Sequence, residues 1–259
     1  MKTLYNSIGM GYSDTRQADP RIAAELIRLL GLEKGCPILD IGAGTGNYSE
    51  ALASIGFQVT ALEPSSVMRA QGASHPSLKW VDGFAEELPF ADDTFDGVFM
   101  TLCMHHFRDW RVALREARRV ANSGPLVIFT FDAFLNEPFW LYRYFPDFLT
   151  EDREWFPKLE DLSAFFDSEF GTSMTVSRFP VPSDIKDHFL SSGWARPEQY
   201  LDPRFRAGIS SFSKRPYPTL KDGLDSLKAD LESGAWDVVH GHLRKHDALD
   251  TGYVFIRAC

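Results

Sequence analysis

Cysteine is scarce in this chain of 259 residues, with only Cys36, Cys103 and Cys259. So few thiols, so far apart, exclude a disulfide framework and a structural zinc site, and they suit a reducing compartment. Cations are also in deficit: 27 Lys and Arg face 36 Asp and Glu, for a net charge of −9. A general nucleic-acid or anionic-membrane binder needs clustered cations, so neither partner is expected. Two or three local arginines would still suffice for a small anion. No stretch approaches the roughly 20 apolar residues of a membrane span. The first residues, MKTLYNSIGMGYSDTR, lack the apolar run of a secretory signal. The expectation is a cytoplasmic protein with no metal; oligomeric state is not legible. What is present is 44% apolar and 24% charged residues, enough for a sizeable globular core.

Asp19-Pro20 is a helix start, a capping residue followed by proline in the first turn. Ile22, Leu26, Leu29 and Leu30 then share one face, and Gly31 stops the helix. Strand-like runs follow at 37–41, 58–62, 78–81, 95–102 and 125–131. Helical patterns separate them at 48–54, 65–71 and 110–120, the last with Val112, Leu114, Ala117 and Val120 as its buried side. Such alternation predicts βαβ units and a parallel sheet. The continuous apolar run 126–131 predicts burial on both sheet faces. Met100 and Met104 read as core.

The alternation breaks after Asp132. Between Phe131 and Pro180, 14 of the 35 aromatic residues fall within 50 positions. These predict a packed insertion, some of whose rings wall a ligand pocket. Segment 172–181 reads as a return to the sheet, 184–247 as helical again, and 252–257 as a final strand. The predicted organisation is an α/β cofactor-binding core with an N-terminal lid over 1–132, a cap insertion over 133–171, a sheet strand over 172–182, a helical cap over 183–249 and a closing strand over 250–259.

The most informative segment is Ile38-Leu-Asp-Ile-Gly-Ala-Gly-Thr-Gly-Asn-Tyr48, a buried strand running into a glycine loop and a helix. Glycines at 42, 44 and 46 let the backbone turn tightly and approach a ligand, and N–H groups at the helix start favour an anionic or polar group. The pattern is G-x-G-x-G, with Asn47 where a dinucleotide fingerprint has its third glycine, and no P-loop lysine follows. Glu63 ends the second strand, 17 residues after Gly46, where a carboxylate can hold both hydroxyls of a ribose.

Four ordered motifs, Leu39-Asp-Ile-Gly-Ala-Gly-Thr-Gly46, Ala61-Leu-Glu-Pro-Ser-Ser-Val-Met68, Glu86-Glu-Leu-Pro-Phe90 and Phe95-Asp-Gly-Val-Phe-Met-Thr-Leu-Cys-Met-His-His-Phe107, resemble the class I S-adenosylmethionine-dependent methyltransferases. The likeness is to the small-molecule branch typified by ubiquinone and menaquinone biosynthesis enzymes. It implies a Rossmann-like, mostly parallel seven-stranded sheet with helices on both faces and a largely helical, aromatic-rich cap. It also implies S-adenosyl-L-methionine as cofactor and S-adenosylhomocysteine as product. Asp40, Gly42, Ala43, Gly44 and Gly46 would hold the methionine portion; Glu63, followed by Pro64, the ribose; Met68, Phe84 and Ala85 the adenine; Thr101 and Leu102 the methionine chain. The family usually has an acid where this chain has Phe84, with Asp82 two places earlier. Tyr12 or Arg16, in a segment that folds over the cofactor in similar enzymes, would reach the methionine carboxylate.

Methyl transfer is an in-line displacement that relies on positioning. It needs a base only when the acceptor must lose a proton. His106, slightly ahead of His105, is the candidate base, oriented by Asp132. Acceptor-binding candidates are Asn136, Trp140, Tyr142, Tyr144, Tyr200 and Arg204, with Trp194, Arg196 and Arg206 nearby. The expected reaction is methylation of O, N, C or S in a small molecule. Open alternatives are attack at another sulfonium carbon, as in a cyclisation releasing 5′-methylthioadenosine, and a non-enzymatic cofactor-binding protein.

Overall fold

The computed structural model describes residues 16–72, 74–121 and 123–259. The first helix, α1 (Pro20–Leu30), begins where its sequence dictates. The Asp19 carboxylate accepts from the Arg21 N–H at 2.9 Å, and Gly31, in the left-handed region at φ 62°, closes the C-terminus. Then follow β1 (Pro37–Ile41), α2 (Asn47–Ile55), β2 (Gln58–Leu62), α3 (Ser66–Ala70), β3 (Leu78–Val81), β4 (Gly97–Thr101), α4 (Trp110–Val120) and β5 (Leu126–Phe131). Beyond them come α5 (Pro146–Trp155), α6 (Leu159–Phe170), β6 (Met174–Arg178) and β7 (Val181–Pro182). The chain continues with α7 (Pro203–Ala207), α8 (Ser210–Ser213), α9 (Tyr217–Glu232), α10 (Ala235–His240), β8 (Ala248–Leu249) and β9 (Tyr253–Ala258).

Seven strands form one sheet in the order β3-β2-β1-β4-β5-β9-β6. Strands β1 to β5 pair in parallel, and β9 runs antiparallel to both β5 and β6. The order reverses between β1 and β4, and a crevice opens outside the carboxyl ends of strands at such a switch. Side chains alternate across β5: Val127, Phe129 and Phe131 feed one core layer, Leu126 and Ile128 the other. Helix α1 packs into the first layer, α4 and α6 into the second, so helices cover both faces. Met100 and Met104 are core, as expected. On α4 the buried partner of Leu114 is Ala113, while Val112 is only half-buried.

Two expectations give way. The run 172–181 is not one strand: Pro180 has no N–H for the ladder, so β6 stops and β7 pairs instead with β8. Segment 184–247 is far less helical than its pattern suggests. Only α9, of 16 residues, is long, with Pro216 and Pro218 at its start, while Pro197 and Pro203 each open a short turn. The cap is held by aromatic packing. Trp140 lies 5.3 Å from Trp236 and 5.6 Å from Tyr200 between ring centroids. Its indole N–H donates to the Trp194 carbonyl at 3.0 Å, and the Trp194 indole donates to Val181 at 2.9 Å. The insertions on either side of β6 therefore form one body, continuous with the sheet's core layer. Among the described residues no helix is long and apolar enough to cross a membrane.

Candidate active site

The glycine loop after β1 is built for tight packing. Gly42, Gly44 and Gly46 all have positive φ, at 72°, 60° and 76°. A Cβ on Gly42 would lie 2.7 Å from Cys103 Cβ, and one on Gly46 would lie 2.6 Å from the Trp80 ring. Gly42 and Ala43 donate to the Leu62 carbonyl at 2.9 and 3.1 Å, tying the loop to the end of β2.

Glu63 completes that tie. Its Oε2 accepts from the Gly44 N–H at 3.0 Å and its Oε1 from the Ser65 N–H at 2.8 Å. Each carboxylate oxygen keeps a further lone pair, so the group can still accept from two hydroxyls. Burial raises its pKa, and the two N–H groups oppose the rise. Beneath the loop, Asp40 accepts from Ser49 Oγ at 2.5 Å through Oδ2, while its buried Oδ1 has no partner. Burial pushes its pKa up to about 7. An orphaned carboxylate oxygen beneath a glycine loop is a fitting partner for an ammonium group.

A cleft of about 390 Å³ opens at the carboxyl ends of β1, β2 and β4. Of the predicted residues, Gly42, Ala43, Gly44, Glu63, Pro64 and Met68 line one side. Arg16, Phe84, Ala85, Thr101, Leu102, His105 and His106 line the rest. Asp40 and Gly46 sit behind the loop rather than on the wall. Tyr12 lies outside the described residues. Asp82 is exposed and turned to Arg69, with contacts at 2.9 and 3.0 Å. The Arg108 guanidinium lies 4.4 Å from the Phe84 ring centroid at the rim, where an adenine-contacting pair is wanted.

Leu102 sits at φ 53°, a costly conformation for a branched side chain, where the chain turns from β4 into the histidine pair. His105 and His106 lie in a 3₁₀ turn with ring centroids 3.7 Å apart, and Phe156 packs on His105 at 4.8 Å. Burial holds the His105 pKa well below its ordinary value, helped by His106, Lys214 and Arg16. His106 is exposed, with Lys214 and Arg16 nearby. The His105 ring is neutral at pH 7.

The predicted orienting partner of the histidines is occupied elsewhere. Asp132 accepts from the Phe134 N–H at 3.1 Å, pairs with Arg178 at 3.0 Å and does not line the cleft. The acceptor-binding candidates also miss it. Trp140, Tyr142, Tyr144 and Tyr200 are buried in the cap, their polar ends already used. Tyr142 donates to Asp152 and Tyr144 to Asp230, both at 2.7 Å, and Tyr200 to the Leu190 carbonyl at 2.6 Å. Arg204 is 90% exposed and paired with its neighbour Asp202, and Asn136 is exposed on a loop. Aromatic abundance here served packing.

Residues that sequence reading missed include Tyr48, Asp187, Trp155 and Lys214, all on the cleft wall. Arg16 donates to both Asp187 oxygens, and Tyr48 donates to the same carboxylate at 3.0 Å. Lys214 Nζ lies 4.1 Å from the Trp155 ring centroid. These residues come from separate stretches of chain, and no local pattern announces their meeting.

A family model described as a methyltransferase domain matches residues 39–129. The chain is 40% identical to a putative methyltransferase from an antibiotic biosynthesis pathway of Anabaena variabilis, with a TM-score of 0.90, covering 95% of this chain and 99% of that one. It is 33% identical over 127 residues to the demethylmenaquinone methyltransferase of Corynebacterium urealyticum, 47% of this chain and 55% of that protein. The match spans about half the length of such curated relatives. A phosphoethanolamine N-methyltransferase of Haemonchus contortus, solved with S-adenosyl-L-methionine, shares the fold, at 20% identity, a TM-score of 0.57 and coverage of 92% of this chain and 52% of that one.

Proposed function

Since the chain belongs to the class I S-adenosylmethionine-dependent methyltransferases, we propose that it methylates an O, N, C or S atom of a small molecule by in-line displacement in the cleft. The carrying observation is the cleft itself. One cavity gathers the glycine loop, Glu63, Met68, Ala85, Leu102 and the histidine pair at the topological switch of the sheet. The bound sulfonium supplies an electrophilic methyl group, and the electron pair of the broken S–C bond stays on sulfur.

The chain's own residues would then act as follows. Asp40 Oδ1 accepts from the methionine ammonium, and Glu63 accepts from the ribose hydroxyls. Met68, Phe84 and Ala85 hold the adenine, while Thr101 and Leu102 border the methionine chain. His105 and His106 flank the reacting carbon. The neutrality of His105 supports this placement, since an imidazolium there would repel the sulfonium. Its depressed basicity also makes positioning, rather than proton storage, its main contribution.

Thermal unfolding with added S-adenosylhomocysteine or NAD tests the cofactor assignment. Only a ligand of the folded state raises the midpoint, and the homocysteine compound is expected to be that ligand. Product mass tests the reaction. A methylated acceptor with S-adenosylhomocysteine supports the proposal, whereas 5′-methylthioadenosine means attack at a different carbon and overturns it.

A further inference from the structure

Beside the cleft is a second, smaller recess of about 60 Å³. The two share Arg16, Leu102, His105 and Trp155 as a common wall, so the recess begins where the methyl group is proposed to sit. Besides Trp155 and His105 of that shared wall, four further aromatic rings line it: Phe131, Phe156, Phe189 and Tyr253. Three polar residues also line it, Asp152, Ser210 and Ser211. The rings brace one another, with Phe131 5.5 Å from Phe156 and Phe189 4.3 Å from Tyr253. Such a wall is pre-formed, and binding against it costs little ordering entropy.

Resting on the methyltransferase reading above, we infer that this recess is the acceptor subsite and that it selects a compact aromatic acceptor bearing a hydrogen-bond donor, such as a phenol, over an acceptor with a long isoprenoid tail. Size carries the first half. A volume of about 60 Å³ holds roughly four waters, the bulk of about one six-membered ring. The adjoining cleft of about 390 Å³ is of the size one cofactor fills, so among the described residues the acceptor's room beside it is the recess, too small for a chain of isoprene units. Chemistry carries the second half. The Asp152 carboxylate is 5% exposed and accepts from the Tyr142 hydroxyl at 2.7 Å through Oδ2, which fixes its orientation. An ionised carboxylate only accepts, so the ligand must donate. Burial raises the Asp152 pKa to about 6, consistent with a carboxylate that gains from a donor. The demethylmenaquinone relatives match only part of this chain. Apart from the shared Arg16, Leu102 and His105, the recess is lined by residues between 131 and 253, beyond the matched methyltransferase domain over 39–129.

The test uses the enzyme saturated with S-adenosylhomocysteine and three probes: 4-methylphenol, toluene and a geranylgeranylated naphthol. Binding is read by ligand-observed magnetic resonance and calorimetry. The inference expects 4-methylphenol to bind about tenfold tighter than toluene, the effect of one hydrogen bond to a carboxylate, and the prenylated naphthol not to compete. Asp152→Asn should abolish the preference for the phenol while leaving S-adenosylhomocysteine affinity unchanged. Should that variant fold poorly, Ser211→Phe, which fills the recess, should block both small rings and spare the cofactor. Equal binding of phenol and toluene, or displacement of the phenol by the prenylated naphthol, overturns the inference while leaving the methyltransferase reading standing. Failure of S-adenosylhomocysteine itself to bind overturns both.

Discussion

Arg16 and Asp187, 171 positions apart, meet as a guanidinium–carboxylate fork on the cleft wall. The Tyr48 hydroxyl donates to the same carboxylate, so three distant segments close one corner of the site. Of the two candidates for the methionine carboxylate, Tyr12 and Arg16, Tyr12 lies outside the described residues and Arg16 gives its fork to Asp187. Removing one partner leaves a nearly buried charge uncompensated, since the Arg16 and Asp187 side chains are 13% and 2% exposed. Asp187→Ala should therefore cost about 3 kcal/mol of stability, read by denaturant unfolding. A loss indistinguishable from zero would mean the fork does not hold the corner together.

Glu63 both anchors the loop and, in the proposed reading, holds the ribose. Glu63→Gln keeps the shape and one acceptor oxygen. Losing charge-assisted hydrogen bonds of about 1.5–3 kcal/mol should weaken S-adenosylhomocysteine binding by about tenfold or more. Isothermal calorimetry on the folded variant decides this, and unchanged affinity removes Glu63 from the cofactor site.

Asp40 gives a pH signature. Its pKa is about 7 in the fold against 3.8 ordinarily. The folded state thus holds a proton that the unfolded chain releases, and stability from this group is fully present below pH 4 and lost as pH rises through 7. Asp40→Asn should remove that component. Thermal midpoints of wild type and variant, measured from pH 5 to 8, should converge at the acid end and separate toward the alkaline end, with the variant the more stable there. A constant gap would contradict the burial of a protonated carboxyl.

The His105 ring should stay neutral. Its imidazole resonances should show no titration between pH 8 and 6, because burial, His106 and the nearby cations lower its pKa. His106→Ala should reduce turnover while leaving S-adenosylhomocysteine affinity unchanged. Ordinary titration near 6.5, or full activity in the variant, would remove the proposed role.

Tyr200 separates packing from recognition. Its hydroxyl donates to the Leu190 carbonyl at 2.6 Å and accepts from the Gly193 N–H at 3.2 Å, fully buried. Tyr200→Phe should cost about 1–3 kcal/mol of stability by leaving those backbone groups unpaired, with KM for acceptor unchanged. A raised KM with intact stability would return Tyr200 to the acceptor site.

Legibility followed sequence distance. The glycine loop, Glu63 at the end of β2 and the histidine turn after β4 are each spelled out within a dozen residues, because strand, turn and helix are local structures with local patterns. The seven-strand sheet was readable for the same reason. The cap was not. Its rings at 140, 142, 144 and 200 look alike whether they face a ligand or one another, and which they do depends on Trp194 and Trp236 arriving from elsewhere. Asp132 failed as a partner for the histidines because Arg178, on a strand that adjoins only β9, reached it first. Lys214 and Asp187 stand in no motif.

Trp155 forms part of both cavities, whereas Trp140, Trp194 and Trp236 are shut inside the cap and the half-buried Trp80 and Trp110 line neither cavity. The protein thereby carries its own optical reporter. Light emitted by one indole should dim or change colour as either chamber fills, over a background from the other five, so occupancy of both chambers can be followed in real time without attaching a dye.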